Sequence, residues 1–466
     1  DFSDNKQSEK IETGGTCSPL RGALSPETER NPSPPPDTSD GDEAEVTDAI
    51  GDTVYSKHWL FSTLSRLIQM VTKSPEESDG QIHLTDDEEE DLCRVWDMAM
   101  DKDVAGFLQE FKAPEILLGV IAKSRNPRLT EICVGILGNI ACFPDTCLTL
   151  SQNEDLGAVL LLLLGDADPP TLLETSRLIL TCVSQKDVSS LWLQRIRQQT
   201  SVRGNLLFIM SSSTNTDLLE KVGELVDKLF DLDEELMKGW ITARPSEEGD
   251  AGDSCLDLAP CLLEAAKQLR AESPNGLEVY LHVLQLLTTV KEGIQMFASS
   301  GGPGKAVWNF VCEVVCDDLC QPNDLAVVLQ EQKGSLVQAF SVLQARHDHS
   351  VHGVTHVSLP LVGTIFQLIQ YQSEHKESTK EEDAQDEQLL ALSEITSEFL
   401  SDMYFSLCLQ DTVAALVKRG YLTEKNCLTA FGRLLPNYQT SFHHLLLMLS
   451  QTDPEWADKV RKQFPD

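Results

Sequence analysis

The chain has 466 residues, 41% of them apolar and 24% charged, with 37 Lys and Arg against 74 Asp and Glu and a formal net charge of −37. That excess of carboxylates excludes non-specific nucleic-acid binding, which needs cations to displace counterions from phosphates, and docking on an anionic membrane face. Basic protein surfaces remain available as partners. The longest unbroken apolar run, Ala158 to Leu164, is far short of the about 20 residues of a spanning helix. No charged segment followed by an apolar core marks a secretory signal, and the 13 cysteines scatter without a close-spaced framework. They are expected to be reduced thiols that pack as small apolar groups in a soluble intracellular protein.

In chain order, residues 1–53 read as a disordered tail, with 13 acids against 4 bases and Pro, Ser, Gly and Thr where a core would need Leu and Val. Within it Ser18-Pro19, Ser25-Pro26 and Ser33-Pro34 are candidates for proline-directed phosphorylation, so Ser18, Ser25 and Ser33 would each add about −1.5 to −2 charges. The 15 to 20 residues before Arg30-Asn-Pro-Ser-Pro-Pro-Pro36 look like an added upstream stretch. Residues 54–242 read as N-terminal helical repeats carrying an acidic loop at 74–91. A linker at 243–253 separates them from C-terminal repeats at 254–466, which carry a second acidic loop at 373–387.

The helical reading rests on apolar residues recurring at three and four, as in Leu60, Leu64, Leu67, Ile68 and Val71. Pro follows Ala113, Asn126 and Pro169, where a first helical turn tolerates it, and Thr85-Asp-Asp-Glu88 forms a capping box leading into Leu92, Val95 and Trp96. Typical helix lengths predict about 18 to 20 helices and no strand.

A register recurs among these helices. From Glu131 the residues five, six and nine further on are Ile136, Leu137 and Ile140; from Glu174 they are Ile179, Leu180 and Val183. Glu220 gives Leu225, Val226 and Leu229, Glu278 gives Val283, Leu284 and Leu287, and Glu394 gives Phe399, Leu400 and Met403. The first four starts are 43, 46 and 58 residues apart, close to an armadillo or HEAT period with one insertion. Each unit leaves an apolar flank that only its neighbour can cover. The predicted fold is therefore all-α, an armadillo/HEAT-like α-solenoid with a disordered acidic N-terminal tail and acidic loop insertions.

Positions four and eight after each repeat Glu lie on a different helix face from the core. They are Gly135 and Asn139, Leu178 and Cys182, Glu224 and Lys228, His282 and Leu286, then Glu398 and Asp402. This mixed ridge is the expected partner groove, with Asn139, Glu224, Lys228 and His282 as its polar residues and the Asn139 amide suited to an extended peptide backbone. Leu178 and Leu286 serve equally well as packing on the adjacent repeat.

Other constellations carry less. Gly301-Gly-Pro-Gly-Lys305 lacks both the hydroxyl after its Lys and a preceding strand, and reads as a loop between helices. Cys312, Cys316 and Cys320 share a helix face without a fourth zinc ligand and read as core. His347, His349, His352 and His356 follow no closed-site spacing, and His443-His444 reads as helix surface. No motif marks a nucleophile, a catalytic metal or a dinucleotide site, so no cofactor or metal is expected and the chain reads as a non-enzyme.

Thr53-Val-Tyr-Ser-Lys-His-Trp-Leu-Phe61, Cys93-Arg-Val-Trp-Asp-Met98 and Ile132-Cys-Val-Gly-Ile-Leu-Gly-Asn139 resemble the serum amyloid A-like 1 family. So do Asp168-Pro-Pro-Thr-Leu-Leu-Glu-Thr-Ser-Arg177, Phe208-Ile-Met-Ser-Ser-Ser-Thr-Asn215, Val226-Asp-Lys-Leu-Phe-Asp-Leu-Asp-Glu234 and Leu284-Gln-Leu-Leu-Thr-Thr-Val290. The resemblance runs from about residue 50 to the C-terminus. It implies an armadillo-type, non-enzymatic nuclear protein linked to cell proliferation under inflammatory stimulation, notably of synovial fibroblasts. It does not imply importin-like cargo binding, because the slot one turn before Asn139, where that group carries Trp, is Gly135. The expected function is a scaffold for protein partners with basic or extended segments, without direct nucleic-acid or membrane contact and with the oligomeric state open. The alternatives are a structural subunit of a permanent complex or an enzyme with an unrecognised site.

Overall fold

The computed structural model describes residues 48–73, 83–243, 256–299, 302–321, 323–349, 358–376, 386–403 and 410–465. Ser18, Ser25 and Ser33, residues 244–253 of the linker, His352 and His356 lie outside them. Among the described residues there are 24 α-helices and no strand, the only β pairing being an isolated bridge between Ala49 and Ser56. The number exceeds the expected 18 to 20 because the units use short helices, such as Lys102–Glu110 and Pro144–Gln152 with 9 residues each. Such helices do not stand alone in water; packing against the next element stabilises them.

Seven helices form a continuous spine, each stacked on the next: α1 (Asp86–Met98), α2 (Pro127–Ile140), α3 (Pro169–Ser184), α4 (Thr216–Leu232), α5 (Pro274–Leu287), α6 (Lys333–His349) and α7 (Glu387–Asp402). Local sequence sets most of their starts. Thr85 and Glu88 form the expected capping box at α1, and side chains of Asn126, Asp168, Asn215, Ser273 and Asp386 accept from first-turn amides of α2, α3, α4, α5 and α7. Each such cap stabilises its helix by about 1 kcal/mol. Shorter helices from successive units, including Ala113–Lys123, Glu154–Leu163, Ser201–Ser212 and Leu258–Leu269, run in a second row beside the spine.

The repeat register is the core of this stack. Of the fifteen apolar positions predicted from the five Glu residues, fourteen are at most 1% exposed, and Leu180 is half-buried against the same core. Burying a Leu, Ile, Val or Phe contributes about 1.5–3 kcal/mol, so this register outweighs any polar contact as the cause of stacking.

Three segment assignments change. Order begins before residue 54: Ile50 is buried, and the Asp48 carboxylate accepts from Ser56 Oγ and His58 N, capping the entry to the first helix, Lys57–Lys73. Within the acidic stretch 74–91, Asp86–Asp91 are helical, because acids in a first turn face the positive end of the helix dipole. Within 373–387, residues 373–376 form the last turn of the helix Leu359–Lys376 and Asp386 caps α7.

The helix Gly304–Glu313 runs on as a π-helical turn, Val314–Leu319, so Cys312, Cys316 and Cys320 straddle a change of helical pitch. All three pack against or within the core, and burial pushes each thiol up from its ordinary value. Lys305 of the glycine-rich segment lies in the first turn of that same helix. No helix of the described residues is long and apolar enough to cross a membrane.

Candidate functional site

The polar positions of the spine fall into two regimes. At the N-terminal end the ridge is closed by neighbouring side chains. A Cβ on Gly135 would lie 2.1 Å from the indole of Trp96, so glycine is what lets the α1 ring lie against α2. Asn139 is 4% exposed, and both ends of its amide are used. Its Nδ2 donates to Trp96 O at 2.7 Å, and its Oδ1 accepts from Arg177 Nη1 of α3 at 3.1 Å. The same guanidinium donates to Gly135 O at 3.3 Å and to Glu174 Oε2 at 2.8 Å. The expectation of an open Asn139 amide facing a peptide is therefore corrected: this Asn staples three consecutive spine helices. Leu178 and Cys182 are fully buried, the packing alternative for Leu178, and Cys182 Sγ lies 3.8 Å from Cys147 Sγ.

From α4 onward the ridge opens. Glu224, Lys228, His282 and Leu286 are half-buried and Glu398 is exposed. Lys221 pairs with Glu224, and Lys228 Nζ lies 3.2 Å from Asp231 Oδ2, so both lysines are neutralised on their own helix. His282 Nδ1 lies 2.6 Å from Asp227 Oδ1 across the α4–α5 boundary. That hydrogen bond raises the imidazole above its ordinary value.

Beneath it, Tyr280 is fully buried, donates from its hydroxyl to Leu219 O at 2.8 Å, and occupies the space left by Gly223. The spine thus crosses from α4 to α5 with the same inter-helix joinery as elsewhere. Two repeat carboxylates join it too, with Ser273 Oγ donating to Glu220 at 2.6 Å and Ser335 Oγ to Glu278 at 3.3 Å.

At α7 the surface is acidic. Asp402 accepts from Gln344 Nε2 of α6. Burial, followed by the charges of Glu398, Asp402 and Glu394, raises the Tyr438 phenol above its ordinary value, which brings three carboxylates to bear on one hydroxyl. The sequence ridge therefore misses Glu394 and Tyr438 at this patch, Trp96 and Arg177, which close the N-terminal end, and Tyr280, which joins α4 to α5. Glu394 was legible as a repeat start; the other four act on helices other than their own, which no offset within one helix reveals.

The arrangement is an elongated, stepped surface with fixed polar groups, and its described residues hold no cluster of His, Cys, Asp and Glu suited to a metal ion. Residues 202–442 match the family model described as the SAAL1 C-terminal domain. The chain is 57% identical to Protein saal1 of Danio rerio over 99% of this chain and 98% of that one. It is 47% identical to Protein SAAL1 of Homo sapiens over 90% of this chain and 94% of that one. Among solved structures it is similar to the designed armadillo repeat protein YIII(Dq)4CqI, with 13% identity and a TM-score of 0.40, covering 61% of this chain and 99% of that one. With a domain match across its C-terminal half and relatives aligned over nearly its whole length, this helical-repeat chain belongs to the SAAL1 family, the serum amyloid A-like group its sequence resembles.

Proposed function

We propose that the solenoid is a non-enzymatic scaffold that binds protein partners along the outward face of α4–α7, taking extended segments that carry basic side chains. The observation behind this reading is the charge on that face: Lys221 and Lys228 are paired on their own helix, while Glu394, Glu398 and Asp402, spaced four apart, share one face of α7 with both Glu residues exposed. An extended peptide brings backbone groups for His282 and cations for the carboxylates, and its on-rate benefits from the net charge. Family membership supports the further reading that this scaffold acts in the nucleus and promotes cell proliferation under inflammatory stimulation.

The test is charge reversal. Glu394→Lys with Glu398→Lys, both exposed, should leave the thermal melt within about a degree or two, as surface changes do. The same double variant should lose binding to a short Arg- and Lys-rich peptide in fluorescence anisotropy, and most partners in proximity labelling. Unchanged peptide affinity together with an unchanged partner set would refute the assignment of this face.

A further inference from the structure

Arginines are scarce in this chain, and many of those described pair with carboxylates, as Arg66 does with Asp91, Arg128 with Glu89 and Glu131, and Arg270 with Glu313 and Asp318. Arg433, at the end of the helix Glu424–Leu434, is an exception. It is half-buried, and among the described residues its one polar contact is Nη2 donating to Ser373 Oγ at 3.5 Å. Ser373 spends its own hydrogen on Ile369 O at 2.9 Å, so it serves Arg433 only as an acceptor. Four of the five guanidinium N–H groups are left for other acceptors. Burial lowers this guanidinium from its ordinary value, and among the described residues no carboxylate pairs with it. A half-desolvated cation without a counter-charge is a cost to the folded state that a bound anion would offset.

The guanidinium lines an open cavity of about 400 Å³ between the helices Leu359–Lys376, Glu424–Leu434 and Pro454–Gln463. A second cation, Lys425, lines the same cavity; its Nζ is held by Glu374 at 2.7 Å, in a pair with side chains 67% and 41% exposed. So exposed a pair is weak and can re-pair with an incoming anion. Apolar lining comes from Leu428 on the same helix and from the Phe464 ring, which would lie 3.0 Å from a Cβ on Gly432.

The geometry points to an oxyanion-binding site: the cavity takes a carboxylate or phosphate on the side chain of a partner peptide, with Arg433 bridging two oxygens, Lys425 as second cation, and Leu428 and Phe464 covering the apolar stem. A planar fork beside a point charge matches both headgroups. This site is separate from the acidic face of α4–α7 and selects the opposite charge, so it stands or falls independently of that face.

The test uses the full chain in calorimetric titration at matched ionic strength, with phenyl phosphate, phenylacetate and inorganic phosphate as probes. Saturable binding of phenyl phosphate or phenylacetate is expected, and whichever binds identifies a phosphorylated or a carboxylate source. Arg433→Gln should weaken it roughly tenfold or more, the scale of a lost charge-assisted hydrogen bond, and Arg433→Lys by less. Leu428→Ala should weaken the two aromatic probes without changing inorganic phosphate, and it carries the test if Arg433→Gln fails to fold by circular dichroism. No saturable binding of either aromatic probe, or equal binding by wild type and a folded Arg433→Gln, would overturn the proposal.

Discussion

Replacing Asn139 by Ala removes a side chain that hydrogen-bonds both neighbours of α2. The bond from Nδ2 to Trp96 O joins two neutral groups and is worth about 1 kcal/mol net. The bond from Arg177 Nη1 is charge-assisted, about 1.5 kcal/mol at the lower end of its range, since Arg177 keeps Glu174 and Gly135 O as acceptors. The Trp96 carbonyl loses this donor, which brings the expected loss to about 3 kcal/mol.

In a solenoid this loss stays near α1–α3, because each unit's stability is shared only with its neighbours. Hydrogen exchange with mass spectrometry is therefore the assay. Amides of α1 and α2 that exchange through local opening should do so about 100-fold faster, while those of α7 and Gln439–Thr452 keep their rates. A double-mutant cycle with Arg177→Gln should return a coupling of about 1 kcal/mol. Unchanged exchange in α1 and α2, or strictly additive effects, would show that the amide does not join these helices.

Other outcomes follow from the same joinery. Gly223→Ala places a Cβ 2.5 Å from Tyr280 Cε2, inside the core, and should lower stability by about 1–3 kcal/mol in chemical denaturation. Gly204→Ala, with open space around it in the helix Ser201–Ser212, should be neutral or stabilise by about 0.5–1 kcal/mol. His282 is raised in the folded chain by Asp227, so its contribution is fully present below the ordinary value of 6.5 and is lost as pH rises through the raised one. His282→Gln should flatten that part of the stability–pH curve, and a wild-type curve that rises over this window would contradict the assignment. A fragment ending at Ala243 lacks Tyr280, His282 and Ser273, so α4 should lose exchange protection while α1–α3 keep theirs; full protection of α4 would show that α5 is not needed to hold it.

What the sequence determined is local. Helix starts follow from caps and prolines within four residues of each other, and stacking follows from apolar offsets within nine residues of a Glu. The same offsets from Glu90 reach Val95, Trp96 and Ala99, so α1 was readable as a further unit. By contrast α6 contains no Glu, and a register keyed on Glu passes over it. The partner ridge was only half readable. Position four or eight after the Glu points away from its own helix's core, but whether that direction meets solvent depends on the helix stacked beside it.

For Asn139 the answer comes from Trp96 and Arg177, 43 and 38 residues away, and for Lys228 it comes from its own helix, where Asp231 holds it at the surface. Arg433 meets Ser373 across 60 residues, and no local pattern marks it as a cation that pairs with no carboxylate among the described residues. Periodicity is a property of one helix and can be counted along the chain. The exposure and pairing of a polar group are properties of two or three helices together, and only their packing decides them.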